Sequence, residues 1–181
     1  MKIFLLGFMG SGKSHVGKRL AARAGLAFVD LDHWIEQAQG ESIARIFETK
    51  GEAAFREIER AALYEMAAKD AILVSCGGGT PCFFDNMAWM NQHGITIYLE
   101  TPVDILLHRL RPQQAKRPLL QDFNETELQA FIISKLAERA PFYEQAQVIY
   151  RVNTKEEEVS EGLFQQLKNV MEGPRDRETG V

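Results

Sequence analysis

The sequence predicts an α/β protein with a five-stranded parallel sheet in three layers, helices lying on both faces. Three observations predict it. Five short apolar runs lie far apart along the chain, stretches of helical spacing separate them, and the first run ends in a glycine-rich loop that opens a helix. The runs are continuously apolar rather than alternating, as a parallel sheet requires when crossover helices cover both of its faces.

Residues 3–6 form the first strand and lead into glycines at 7, 10 and 12. A helix over 14–24 follows and is stopped by Gly25 just before a second strand at 26–31. Residues 42–66 place Ile43, Ile46, Phe47, Phe55, Ile58, Ala62, Leu63 and Met66 at helical spacing, which Gly51 interrupts. That predicts two helices inserted between the second strand and a third at 71–75. Residues 81–89 read as a helix in which Phe83, Phe84 and Trp89 pack internally. A fourth strand at 95–99 precedes a helix over 102–110, with Pro102 at a tolerated early position. A longer amphipathic helix at 125–139 leads to the last strand, 148–152. The basic, proline-bearing stretch 111–122 has the length of a functional loop and reads as a lid. Domain organisation follows: one domain over 1–172, an insertion at about 32–66, a lid at about 111–124, and a polar tail at 173–181.

Composition narrows the function. A chain of 181 residues with 45% hydrophobic and 25% charged residues is an ordinary globular protein able to bury about 70% of its unfolded surface. The net charge of −4 and a pI near 5.6 supply no global positive field, so no nucleic-acid or membrane partner is expected. Two cysteines, Cys76 and Cys82, are too few for a disulfide framework or a four-ligand zinc site and suit a reducing compartment. No apolar stretch approaches the ~18–20 residues a bilayer needs. The expectation is a soluble, cytoplasmic monomer that catches any anionic ligand in a local cluster.

The stretch Gly7-Phe8-Met9-Gly10-Ser11-Gly12-Lys13-Ser14 fits G-x-x-x-x-G-K-[ST] between a predicted strand and a predicted helix, the setting this phosphate loop requires. Its glycines let backbone N–H groups converge on phosphate oxygens, and the helix N-terminus adds about half a positive charge. Lys13 can reach the terminal phosphates and the Ser14 hydroxyl can ligate Mg²⁺. His15, a helix-surface position, is grouped with Gly10, Ser11, Gly12, Lys13 and Ser14 on the nucleotide side. An N-K-x-D base-reading segment is missing, and the third strand does not end in an acid. Asp30-Leu31-Asp32, closing the second strand, are therefore the candidates for metal and acceptor.

If that strand persists, Asp30 and Asp32 project to one face at the sheet's carboxyl edge; the other use of Asp32 is as an N-cap before Trp34-Ile35. Arg56 offers a planar fork for a carboxylate, or else a surface ion pair with Glu52 or Glu59. Gly77-Gly78-Gly79 suggests close approach of a ligand or backbone, or else a plain turn.

Taken in order, these segments resemble shikimate kinases, P-loop kinases related to nucleoside monophosphate kinases. The resemblance runs from Lys2 to about Val152. It rests on the phosphate loop, Asp30-Leu31-Asp32-His33-Trp34-Ile35-Glu36, Gly51-Glu52 with Phe55-Arg56-Glu57-Ile58-Glu59, Gly77-Gly78-Gly79, Arg117-Pro118-Leu119-Leu120 and Arg139-Ala140-Pro141-Phe142-Tyr143. It implies a P-loop kinase fold with inserted substrate-binding helices, and ATP-dependent phosphorylation of the shikimate 3-hydroxyl with Mg²⁺. By matching position, Lys13 and Ser14 would serve nucleotide and metal, and Asp32 the acceptor hydroxyl and the metal's shell. Arg56 and Arg139 would clamp the shikimate carboxylate beside the three glycines, with Phe47 and Phe55 as an apolar wall. Arg117 would be the lid arginine on the transferring phosphoryl group, and Arg109 would lie against adenine. A related kinase for gluconate or a nucleoside monophosphate, and a nucleotide-dependent switch, are the other readings.

Overall fold

The computed structural model describes residues 1–116, 120–153 and 156–172. Arg117 and the expected tail at 173–181 lie outside the described residues. Five strands, β1 (Lys2–Leu6), β2 (Ala27–Asp30), β3 (Ile72–Ser75), β4 (Ile95–Glu100) and β5 (Val148–Arg151), form one sheet in the order β2-β3-β1-β4-β5. Every pairing is parallel.

The helices are α1 (Lys13–Ala24), α2 (Leu31–Gln39), α3 (Ile43–Glu65), α4 (Asn86–His93), α5 (Val103–Leu110), α6 (Glu125–Tyr143) and α7 (Glu156–Glu172). The side-chain alternation of a strand sorts β1 between two cores. Ile3 and Leu5 pack with Val16 and Leu20 of α1 and Leu163 and Leu167 of α7. Phe4 and Leu6 point the other way, onto Ile35 of α2, Phe55 and Leu63 of α3 and Met90 of α4. A third cluster joins Phe8 of the glycine loop to Leu106 and Leu110 of α5 and Leu128 and Ile132 of α6.

Where the sequence predicts a second strand reaching residue 31, the structure turns into α2 at once. Asp30 is extended and caps α2 through its own carboxylate, which accepts from the His33 amide. Asp32 therefore sits in the first turn of a helix, neither on the strand nor at its cap. The inserted helix α3 is continuous except at Gly51, whose φ of 80° and ψ of 171° suit only glycine. Residues 80–82 form a single 3₁₀ turn before α4, so the helix expected over 81–89 begins only at Asn86. The stretch expected to be a loop opens with 3₁₀ turns over Arg111–Lys116. Helix α6, closed at its start by reciprocal Asn124 and Glu127 bonds, runs past Arg139 to Tyr143. Among the described residues no helix is long and apolar enough to cross a membrane.

Register places the functional loops side by side. Leu5 and Asp30 both stand opposite Ser75, and the Cys76 amide donates to the Leu5 carbonyl at 3.1 Å. The loops leaving β1 and β3 and the start of α2 thus meet at the carboxyl edge, where open α/β sheets bind ligands.

Candidate active site

A cleft of about 330 Å³ opens at that edge, lined among others by Lys13, Ser14, Asp30, Asp32, Gly77 and Arg109. Gly12 caps α1 in a left-handed conformation (φ 94°), which aims the helix N-terminus into the cleft. The Lys13 ammonium folds over its own loop and donates to the carbonyls of Gly7 (2.8 Å) and Phe8 (2.9 Å). The Ser11 hydroxyl is buried with no hydrogen-bond partner, and an incoming phosphate oxygen would supply one. Arg109, on α5, donates to the carbonyls of Gly10 (3.2 Å) and Ser11 (3.1 Å), tying that helix to the loop. His15 is exposed at the cleft's mouth.

The two acids divide their work. Asp30 accepts a 2.7 Å hydrogen bond from Ser14 Oγ, which brings a carboxylate to the hydroxyl that a metal on a phosphate loop uses. Burial, with the charges of Asp30 and Glu59 adding to it and Lys13 opposing it, pushes Asp32 from 3.8 up to about 6. A carboxylate so tuned can accept a proton near neutral pH. Among the described residues no three His, Cys, Asp or Glu side chains form a metal cage. One hydroxyl and one or two carboxylates instead match the chemistry of Mg²⁺, which keeps several waters and is shared with phosphates.

The three glycines explain the far wall. A methyl group on Gly77 would come within 2.9 Å of both Asp32 Oδ1 and Glu59 Oε1, on Gly78 within 3.0 Å of Arg139 Nη1, and on Gly79 within 2.9 Å of both terminal nitrogens of Arg56. Close approach, not turn flexibility, is what this tripeptide supplies. Arg56 and Arg139 are consequently on the same side as Lys13, against consecutive residues of one loop.

Arg56 is bonded to Glu52 (3.0 Å) and Glu59 (2.8 Å), the two partners its spacing allows, yet its side chain is only 11% exposed and that of Glu59 1%. This is a buried brace and not a surface ion pair: Glu59 also accepts from Thr80 Oγ1 at 2.6 Å. The guanidinium carbon lies 4.1 Å from the Phe83 ring centre, 5.1 Å from that of Phe55 and 5.8 Å from that of Phe47. Phe47 and Phe55 contact each other at 4.6 Å. On α6, Arg139 lies over the Phe8 ring at 5.5 Å, and the Tyr143 hydroxyl donates to the Gly78 carbonyl at 2.6 Å.

Four residues in this arrangement escape a reading of the sequence: Asp30 as partner of Ser14, Glu59 and Tyr143 as supports, and Phe83 against Arg56. Glu59 carried a signal, an acid at helical spacing from Arg56. Phe83 and Tyr143 carried none beyond apolar character, because what they touch lies far away in the chain.

A family model described as Shikimate kinase matches residues 9–171. A shikimate kinase of Bacteroides thetaiotaomicron is 42% identical over 173 residues, spanning 95% of this chain and 99% of the relative. That of Parabacteroides distasonis is 48% identical over 149 residues, 82% of this chain and 86% of the relative. The solved structure of a shikimate kinase from Acinetobacter baumannii in complex with shikimate superposes with a TM-score of 0.86 at 34% identity, covering 96% of this chain and 95% of that one. A gluconokinase from Sinorhizobium meliloti, at a TM-score of 0.57 and 19% identity over 94% of this chain and 93% of its own, shares the fold alone.

Proposed function

Because the chain belongs to the shikimate kinase family, we propose that its cleft is where ATP and shikimate meet, with the roles of individual side chains given by their geometry. The protein is a shikimate kinase: it transfers the γ-phosphoryl group of ATP to the 3-hydroxyl of shikimate, yielding shikimate 3-phosphate for the synthesis of chorismate and aromatic amino acids. In our reading it works as a one-domain, cytoplasmic monomer.

The loop amides, Ser11 and Lys13 hold the phosphates; Lys13 exchanges its carbonyl contacts for phosphate oxygens, a charge-assisted gain over neutral acceptors. Ser14, Asp30 and Asp32 are the residues that would hold Mg²⁺, whose chemistry there is to neutralise charge on the phosphates. Arg56 and Arg139 grip the acceptor's carboxylate from Gly79 and Gly78, and Phe47 and Phe55 cover its apolar face. Asp32 accepts the proton of the reacting hydroxyl. Arg117 closes on the phosphoryl group and, with residues 111–124, excludes water that would otherwise hydrolyse ATP. Arg109 bonds the phosphate loop in this structure; lying against adenine is a further role we assign to it when nucleotide is bound.

The observation that carries this assignment is the contact of Asp32, Arg139 and Arg56 with three successive glycines, which brings base and carboxylate clamp onto one short loop. Coupled ADP release over an acceptor panel tests it. ADP should form in strict dependence on shikimate, with gluconate and nucleoside monophosphates inert. Hydrolysis indifferent to shikimate, or turnover of acceptors lacking a carboxylate, would sink it.

A further inference from the structure

A second cleft, of about 450 Å³, opens on a different face of α6 from Arg139 and shares no lining residue with the phosphate-loop cleft. Tyr98 and Glu100 of β4 form one wall; Leu136, Ala137, Ala140 and Glu144 along α6 form the other. Nothing in the phosphoryl-transfer reaction uses these groups.

Three features make it a built site and not a packing flaw. Tyr98 is 7% exposed, its ring stacked on Tyr143 at 4.8 Å, yet among the described residues its hydroxyl makes no hydrogen bond. A phenol this buried ordinarily finds a partner. Glu100 is paired with Arg151 at 2.7 Å, whereas Glu144 forms no ion pair among the described residues, so one carboxylate at the rim is uncompensated. Burial first, and then the charges of Glu100 and Glu144, push the Tyr98 phenol up to about 12, which places both acids near its hydroxyl. The remaining wall, Leu136, Ala137 and Ala140, is apolar.

We propose that this cleft is a second binding site, for a small organic ammonium ion with a flat apolar body. The ammonium donates to the Glu144 carboxylate and to the Tyr98 hydroxyl oxygen, while the body lies along Leu136, Ala137 and Ala140. An anion of the same shape is repelled by Glu144 and Glu100.

Calorimetric titration of the full chain with phenethylamine tests this, with phenylacetate as the probe of opposite charge. Saturable one-to-one binding is expected, unchanged by saturating shikimate and absent for phenylacetate. Glu144→Gln, an exposed position, should weaken it at least tenfold. Tyr98→Phe, which keeps the ring stack, should weaken it several-fold. Both variants should phosphorylate shikimate at the unmodified rate when no amine is present. No saturable binding of phenethylamine, equal binding of phenylacetate, affinity unchanged in either variant, or displacement by shikimate overturns the proposal.

Discussion

Asp32 is held by its surroundings in a state that costs stability and serves chemistry. With its acid constant moved from 3.8 to about 6, the folded chain binds more protons than the unfolded chain between those values. Stability therefore falls as pH rises through that window, by about 3 kcal/mol in total, and is level above it. Asp32→Asn has no such titration. In metal-free buffer its Tm should exceed that of the unmodified protein by several degrees at pH 7.5, with the gap closing towards pH 4, while kcat falls sharply. Parallel Tm curves across that range would remove the buried charge as the cause. Arg56 makes a separate point about shape. Arg56→Lys keeps the charge but loses the fork wedged between Glu52, Glu59 and the Phe83 ring, so the KM for shikimate should rise at least tenfold with the KM for ATP little changed. At the phosphate loop, Lys13→Ala should lower kcat by about 10²–10³, the loss typical of one preorganised electrostatic group. Near-normal turnover in steady-state assays would strip Lys13 of that role.

Among the elements, the inserted helix α3 carries both faces of the acceptor side. Its first part bears Phe47 and its second Phe55, Arg56 and Glu59, and the bend at Gly51 lets the two phenylalanines meet at 4.6 Å. A side chain at position 51 would have open space around it, so any penalty comes from the backbone alone. Gly51→Ala should destabilise the protein by about 1–3 kcal/mol and raise the KM for shikimate as the rings separate. A Tm equal to that of the unmodified protein by calorimetry would show that another backbone arrangement serves as well. Helix α6 has a comparable double duty, presenting Arg139 and Tyr143 to Gly78 on one face and lining the second cleft with Leu136, Ala140 and Glu144 on another.

Across the whole molecule, binding and folding are linked because the site is assembled from loops after β1 and β3 and from α2, α3 and α6. A ligand that binds only that assembly stabilises it by about 2.7 kcal/mol at a hundred times its Kd. At about 2–4 °C per kcal/mol for a chain of this size, saturating shikimate with a nucleotide should raise the Tm by roughly 5–10 °C in a thermal shift assay. An unmoved Tm would mean the site is not formed in the folded chain. The layers and strands of the sheet were legible in the sequence because a buried parallel strand leaves a continuous apolar run, as at residues 3–6 and 71–75, and a phosphate loop leaves glycines at set spacing. Helix α2 was not legible: Asp30 ends a strand and caps a helix at the same residue, so no loop separates the two patterns. The contacts of Arg56 with Phe83, of Ser14 with Asp30 and of Tyr143 with Gly78 join residues 27, 16 and 65 positions apart, and no local period records them. By itself, then, the sequence determined the sheet, the phosphate loop and which residue types could do the chemistry, since each of these follows from local pattern. Only the tertiary structure decided that Asp32 is buried and raised in pKa, that Arg56 is braced and not solvated, and that an unpartnered tyrosine lines a second cleft, because burial and distant contact exist only once the chain has folded.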